Sequence, residues 1–182
     1  MNTVVADNYL CFMALLEMIV SDSYSAHHYS QTDFAELFGI TIPFDTHTTI
    51  RNVQYSKSIT DCGTNICIGE INDFFLDKLI PLHLSFIPSS YFDETTFWDI
   101  IDEKKKNSYI VFAFSYGFLY DEPQNKDVGH VVLFENIDSK ADTLGIYDPG
   151  PRNHGSKTVK VDDMVYAMKR RGGIYLFEKD YR

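Results

Sequence analysis

The sequence predicts an α+β fold in which amino-terminal helices pack on an antiparallel sheet formed by the second half of the chain. Apolar residues near the amino terminus recur at helical spacing, whereas the second half contains runs of β-branched and aromatic residues separated by turn residues. The chain has 182 residues, of which 45% are hydrophobic, enough for one substantial core. No repeat or low-complexity linker interrupts the sequence, so we expect a single domain over residues 1–182.

The predicted helices begin with the most apolar segment of the chain. Over Phe12–Ile19 the apolar residues fall at i, i+3, i+4 and i+7, which marks a buried face. Asp7 and Asn8 precede this segment as candidate N-caps. A shorter helix is predicted over Asp33–Phe38, with Thr32 as its N-cap and Gly39 after its end. Helical spacing returns in three later segments, which are Ile68–Leu79, Phe97–Lys104 and Asp162–Arg171.

The predicted sheet is the clearest feature of the second half. Its strands are Tyr109–Phe114, Val128–Ile137, Thr143–Tyr147 and Ile174–Phe177. A turn near Ser139 and Lys140 joins the second and third of these strands into a hairpin. Residues 41–67 have poor periodicity and are predicted to be rich in loops, with one candidate strand at Ile50–Tyr55.

Charge and cysteine content narrow both the partners and the class of protein that the sequence allows. The formal net charge of −10 opposes binding to nucleic acid or to an anionic membrane, because both require a clustered positive field. The basic clusters Lys104–Lys106 and Lys169–Arg171 fall near the ends of predicted helices, where cations stabilise the helix dipole. Three cysteines are too few for a disulfide-stapled secreted domain, and the apolar stretch Leu10–Val20 is too short to span a bilayer. We expect a cytoplasmic protein, and the sequence leaves its oligomeric state open.

Cys11 is the candidate nucleophile. With Asn8 as the N-cap, Cys11 would occupy the third position of the first helical turn, where unpaired backbone N–H groups and the helix dipole favour a thiolate. Free cysteine is also a common packing residue in buried helices, so Cys11 alone does not establish catalysis. A base and an orienting carboxylate are needed as well.

His130 and Asp148 are the candidates for these two roles. The predicted hairpin places His130 opposite Asp148 or its neighbour on antiparallel strands. Opposed residues have Cβ atoms about 4.5–5.5 Å apart, so the carboxylate could accept a hydrogen bond from one imidazole nitrogen and leave the other for proton transfer. This arrangement is typical of the base and orienter of a catalytic triad.

The order and surroundings of these residues resemble a known family. Cys11 stands at the start of a helix, Gly129 and His130 at the start of a strand, and Asp148 is followed by Pro149. The pattern is similar to that of the papain-like cysteine peptidases that process bacteriocin leader peptides at double glycines. The resemblance implies a papain-like fold. It also implies that Cys11 attacks a peptide carbonyl to form a thioester, His130 transfers the proton and Asp148 orients His130.

Two positions depart from the pattern of that family and bear on the oxyanion hole. The glutamine usually found six residues before the nucleophile is Val5, and the glycine that usually follows it is Phe12. Asn8 is the candidate replacement donor. Two functions therefore stay open. One is a cysteine peptidase, or a related amide-forming or thioester-using acyltransferase, with a peptide or acyl-thioester substrate, and the other is an inactive domain that binds a peptide or protein.

Cys62 is the alternative nucleophile. Asp61 before it and Gly63 after it match the local sequence of the family better than the residues around Cys11 do, but Gly63 starts a helix poorly. A metal site would use Cys62 and Cys67 with nearby histidines, yet a second pair of ligands at matching spacing is missing from the sequence. A glycine-rich phosphate loop is also missing, so we expect no metal and no cofactor.

Overall fold

The computed structural model describes residues 1–179 and divides them into two compact units. The first unit comprises Met1–Leu82 and Pro149–His154, and the second comprises His83–Asp148 and Gly155–Lys179. The helices are α1 (Cys11–Ser23), α2 (Gln31–Phe38), α3 (Ile68–Asp77), α4 (Glu94–Lys104), α5 (Tyr116–Leu119) and α6 (Val161–Arg170). The strands are β1 (Ile40–Pro43), β2 (Val53–Ser56), β3 (Gly63–Thr64), β4 (Leu82–Pro88), β5 (Ser108–Ser115), β6 (Gly129–Asp138), β7 (Thr143–Asp148), β8 (Gly155–Lys160) and β9 (Gly173–Lys179).

These elements confirm the α+β class. The expectation of one domain over residues 1–182 stays a prediction. Within residues 1–179, none of the helices combines the length and the apolar character that crossing a bilayer would require.

Helix α1 begins later than its sequence predicts. Asp7 to Leu10 form a turn, closed by a 3.0 Å hydrogen bond from the Leu10 N–H to the Asp7 C=O. Tyr9 has a φ of 69°, which a right-handed helix cannot accommodate. Leu10 is the N-cap residue, so the prediction that Asn8 or Asp7 caps the helix is wrong. Cys11 is therefore the first helical residue rather than the third.

Helix α2 is fixed at its start by a capping box. The Ser30 hydroxyl accepts a hydrogen bond from the Asp33 N–H at 3.2 Å, and Asp33 Oδ2 accepts one from the Ser30 N–H at 2.8 Å. The predicted N-cap Thr32 is therefore wrong by two positions. Aromatic side chains of α2 and α3 pack together with one residue before α2, and these are Tyr29, Phe34, Phe38 and Phe74.

Residues 41–67 hold more structure than their composition indicates. Strand β1 pairs in parallel with β2 and antiparallel with β3. The candidate strand Ile50–Tyr55 is present in shifted form as Val53–Ser56. These strands have only four, four and two residues, which are too few for a hydrophobic pattern to reveal them.

The sheet of the second unit has the strand order β4-β9-β5-β6-β7-β8. The four predicted strands are confirmed as β5, β6, β7 and β9, with ends that differ by one or two residues. Strands β4 and β8 lie at the edges and were missed, since half-exposed edge strands lack a continuous apolar run. Helices α4 and α6 contribute to the core of this unit, for example through Phe97 and Met164, which are both fully buried with Phe112 of β5.

The link from α6 to β9 depends on a glycine. Gly172 has a φ of 136°, and a Cβ atom there would overlap the Ala113 C=O. Both constraints exclude any side chain. Helix α6 ends at Arg170, and its C-cap Arg171 directly precedes this glycine.

Candidate active site

His130 and Asp148 form a buried pair in the second unit. His130 Nε2 lies 2.8 Å from Asp148 Oδ1, and the two side chains are 6% and 0% exposed. An ionised carboxylate only accepts hydrogen bonds, so Nε2 is the donor in this pair. With the proton on Nε2, the neutral imidazole carries its lone pair on Nδ1.

The register of the hairpin differs from the predicted one, yet it keeps the two residues on one face. Leu133 lies opposite Tyr147, and the pairing is shifted by an irregularity between Phe134 and Asn136. The next pair after Leu133 and Tyr147 in this register would place Asp148 opposite position 132, which is two residues away from His130. The predicted direct opposition of His130 and Asp148 is therefore wrong. They are diagonal neighbours, which still lie within reach of long side chains.

Tyr120 is a second hydrogen-bond partner of Asp148. Its hydroxyl donates to Oδ2, while His130 donates to Oδ1, so both carboxylate oxygens are engaged. Burial of an ionised carboxylate is tolerated only with such compensation. Tyr120 is not predictable from the sequence, because no spacing rule links it to Asp148 across 28 positions.

An aromatic cage surrounds the His130 imidazole. Phe114, Tyr116 and Tyr120 each contact the ring edge-to-face, at centroid distances of 5.7, 5.4 and 6.4 Å. The cage restricts rotation of the ring and excludes water from one side of it. Together with Asp148, it holds the imidazole in one orientation.

The segment between β5 and β6 holds two members of this cage. The Tyr116 N–H donates to the Val128 C=O at 2.9 Å, and the Glu122 N–H donates to the Gly117 C=O at 3.0 Å. A Cβ atom at Gly117 would overlap the backbone of Glu122, so only glycine fits there. These bonds fix α5, which carries Tyr116 and precedes Tyr120 directly.

Cys11 is the first residue of α1 in the first unit and is partly exposed. Backbone N–H groups in the first turn of a helix have no intrahelical acceptor. The N–H of Cys11 belongs to this set, and such groups are suited to stabilise the oxyanion of a tetrahedral intermediate.

Gln31 holds the segment that leads to Cys11. Its Nε2 donates to the Val5 C=O at 3.0 Å, and its Oε1 accepts from the Asp7 N–H at 2.9 Å. The backbone N–H of Gln31 donates to Glu17 Oε2 at 2.7 Å, which ties the same residue to α1. Both ends of the Gln31 amide are therefore engaged in a clamp on residues 5 and 7. This role of Gln31 is not predictable from the sequence, since Gln31 lies 20 positions after Cys11 and matches no motif.

A second contact within the first unit also restrains this segment. The Ala6 N–H donates to the Pro149 C=O at 2.7 Å. The backbone of Val5, Ala6 and Asp7 is thus held at three consecutive positions by hydrogen bonds to other parts of the unit. Asn8 follows them in the turn itself and is exposed, and its side chain does not cap α1.

Cys62 has a different setting. It follows the short 3-10 turn Ile59–Asp61, and its Sγ donates to the Ser58 C=O at 3.4 Å. Burial, and then the negative charge of Asp61, raise the pKa of the Cys62 thiol. Both effects disfavour a thiolate. Cys67 is exposed, and all three cysteines are free thiols.

Carboxylates that could bind a metal gather elsewhere. Within residues 1–179, one group of three potential ligands has its atoms within 4.8 Å of one another, and it consists of Glu94, Asp142 and Asp162. The charge of Asp162 raises the pKa of Glu94, as expected for crowded acidic groups. Cys62 and Cys67 belong to no such group within these residues. The absence of a metal and a cofactor stays a prediction.

Comparison with known proteins supports the fold. No protein-family model matches the sequence, and no curated protein matches it. The structure is similar to the crystal structure of a candidate C39-like peptidase from Bacillus anthracis, with a TM-score of 0.62 and 13% sequence identity. The match covers 100% of this chain and 96% of that chain. At this identity the likeness concerns the fold alone, and it agrees with the predicted papain-like α+β fold.

Proposed function

We propose that the chain is a cysteine-nucleophile enzyme that acts on a peptide, as a peptidase or a related acyltransferase. The observation that carries this proposal is the buried His130–Asp148 pair, whose hydrogen bond and aromatic cage prepare one imidazole nitrogen for proton transfer. A carboxylate is costly to bury, so a fully buried carboxylate that is hydrogen-bonded to an imidazole favours a functional role for the pair.

The proposed reaction begins at Cys11. Its sulfur attacks the peptide carbonyl carbon, and its proton passes to Nδ1 of His130. The oxyanion that forms accepts a hydrogen bond from the Cys11 N–H, with the Asn8 amide as the proposed second donor. The intermediate collapses to a thioester as His130 returns the proton to the leaving amine.

The second half of the reaction releases the acyl group. Water, or an amine in an acyltransferase, loses a proton to His130 and attacks the thioester carbonyl. The thiolate of Cys11 leaves and takes up the proton that His130 has just accepted. Throughout, Asp148 accepts the hydrogen bond from Nε2 and stabilises the imidazolium, while Tyr120 positions Asp148.

Alkylation by iodoacetamide tests the nucleophile without knowledge of the substrate. At neutral pH we expect Cys11 to be alkylated at least about tenfold faster than Cys62, because the raised pKa of Cys62 keeps it a thiol. Exchange of His130 for asparagine should slow alkylation of Cys11 and leave Cys62 unchanged. Peptide mass spectrometry resolves the three cysteines. Equal and slow alkylation of all three would refute the proposal.

A cleavage assay separates the two candidate nucleophiles. We expect Cys11→Ala to abolish processing of a mixed peptide library and Cys62→Ala to retain it, with products read by mass spectrometry. Processing that survives Cys11→Ala and fails in Cys62→Ala would assign the reaction to Cys62 instead.

An inactive binding domain is the second candidate, and the oxyanion hole motivates it. Gln31 is committed to the backbone at both ends of its amide, and Val5 stands where the family usually has glutamine. The loss of one oxyanion donor typically costs about 10²–10³ in rate. Alkylation of Cys11 with peptide binding but without turnover would favour this function.

A further inference from the structure

A cleft in the second unit gathers cationic side chains in an otherwise acidic protein. It has a volume of about 490 Å³ and is open to solvent. Its lining residues are Phe118, Lys126, Asp127, Arg170 and Arg171. Three cationic side chains and one carboxylate give this lining a formal net charge of +2. None of these residues belongs to the proposed catalytic set.

Aromatic rings hold two of the cations. Lys126 Nζ lies 5.3 Å and Arg170 Cζ lies 5.2 Å from the centroid of the Phe118 ring. Arg170 also lies 4.9 Å from the Tyr166 ring centroid and donates from Nη2 to the Tyr166 hydroxyl at 2.8 Å. Cation–π contacts leave the edges of a guanidinium and the ammonium protons accessible to an anion.

Backbone contacts hold the third cation. Arg171 Nη1 donates to the Asp127 C=O. Arg171 Nε lies 3.2 Å from the place that a Cβ atom at Gly129 would occupy, so the glycine leaves room for the guanidinium. The side chain is therefore placed at the cleft by the chain that leads into β6.

Two of the three cations are not neutralised by a carboxylate partner within the described residues. The chain has 26 acidic and 16 basic residues, so most cations could find a carboxylate partner. Lys126 and Arg170 nevertheless take part in no ion pair within residues 1–179. Helix-end stabilisation, which the sequence indicates for Lys169–Arg171, accounts for charge near the end of α6 but not for the convergence with Lys126 on Phe118.

We propose that this cleft binds a phosphate group. Phosphate carries about −1.5 to −2 charges at pH 7, which matches the lining, and offers several acceptor oxygens to converging donors. Guanidinium groups bind such oxygens in pairs, and Lys126 supplies a point charge beside them. The group is either free inorganic phosphate or the phosphate of a phosphorylated amino acid.

Calorimetric titration of the full chain with inorganic phosphate tests the site. At constant ionic strength, with chloride as the balancing anion, we expect saturable binding of one phosphate. Arg170→Gln and Lys126→Gln should each weaken it about tenfold. Lys57→Gln removes the same charge from an exposed position of the first unit and should leave the affinity unchanged. Circular dichroism verifies that each variant is folded.

Two further ligands sharpen the assignment. O-Phosphoserine that binds more tightly than inorganic phosphate identifies a phosphorylated amino acid as the source, and the reverse order identifies the free ion. Acetate that binds as tightly as phosphate would overturn the proposal. A lack of saturable binding, or an equal loss in Lys57→Gln, would overturn it as well. The titration does not depend on Cys11 or His130, so its outcome is separable from that of the proposed function.

Discussion

Asp148 combines complete burial with two hydrogen bonds, and each bond has a separate effect. His130 donates to one oxygen, which fixes the imidazole tautomer. Tyr120 donates to the other, which fixes the carboxylate itself. A change at Asp148 therefore alters the chemistry of His130, whereas a change at Tyr120 alters the position of Asp148.

Asp148→Asn should impair the base while retaining the volume of the side chain. An amide has one acceptor oxygen for two donors, so the imidazole is driven to the tautomer that protonates Nδ1. We expect the alkylation rate of Cys11 at neutral pH to fall at least about tenfold, and peptide turnover to fall about 10²–10⁴-fold. Mass spectrometry of the alkylated peptide gives the first rate.

Tyr120→Phe is the matched control for that substitution. It removes one hydrogen bond to Asp148 and preserves the aromatic cage and the bond to His130. The expected loss is about 1 kcal/mol in the free energy of unfolding, with a much smaller fall in alkylation than for Asp148→Asn. Equal losses of alkylation in both variants would contradict the separate effects assigned to the two hydrogen bonds of Asp148.

At the scale of an element, the start of α1 is ordered by neighbouring segments rather than by a cap of its own. Leu10 offers no side-chain hydrogen bond, so the approach to Cys11 depends on the bonds that Gln31 makes to residues 5 and 7. Helix ends without side-chain caps fray readily. We infer that Gln31 is a positioning residue for Cys11.

Gln31→Leu should release this segment while keeping a side chain of similar size. Two hydrogen bonds are lost, at about 1 kcal/mol each in the free energy of unfolding. We expect kcat to fall with little change in KM, because the position of the thiol changes and the substrate contacts do not. Gln54→Leu, at an exposed position of β2, is the control and should change neither. A rise in KM at constant kcat would contradict a positioning role.

The capping box of α2 gives a pH dependence whose sign follows from its hydrogen bonds. Donation from the Ser30 hydroxyl, and then from its N–H, lowers the pKa of Asp33. A lowered pKa means that the folded state favours the ionised form. This stability is present at neutral pH and is lost as the pH falls through the lowered pKa.

Asp33→Asn should therefore be destabilising at neutral pH, by about 0.5–1 kcal/mol in the free energy of unfolding. The difference from the unmodified protein should shrink as the pH falls through the acidic range, as urea unfolding at a series of pH values would reveal. Asp73→Asn, in the exposed part of α3, is the control without a capping contact. A difference that grows on acidification would contradict the role assigned to Asp33.

For the whole molecule, the sequence predicts the features that depend on local apolar patterns. The runs that became β5, β6, β7 and β9 are buried on both faces or alternate clearly, and α6 ends where its glycines require. Edge strands such as β8 are not predicted, since every second residue there is exposed and a continuous apolar run is missing. The shift in strand register between Phe134 and Asn136 is also not predicted, because the apolar pattern does not reveal an irregularity of this kind.

The candidate site likewise contains residues that the sequence predicts and residues that it does not. His130 and Asp148 were identified from hairpin symmetry, which survives a shift in register as long as both residues keep the same face. Tyr120 and Gln31 were missed, because their hydrogen bonds join positions that are distant in sequence and lie in no repeated pattern. The side chains that orient the reacting groups are brought to the site by tertiary packing, so they are harder to predict from sequence than the reacting groups themselves.

The excess of negative charge leads to the last prediction. With a net charge of −10, unbalanced carboxylates repel one another by about 0.4 kcal/mol per pair at about 10 Å in water. Chloride salt at about 0.1 M reduces the Debye length to about 10 Å and screens this repulsion. We expect the free energy of unfolding to rise by at least about 1 kcal/mol between low salt and this concentration, measured by urea denaturation. Screening also weakens attractive surface pairs such as Lys104–Glu178, but these are worth at most about 1 kcal/mol each. A fall in stability with added chloride would mean that attractive pairs outweigh the net repulsion.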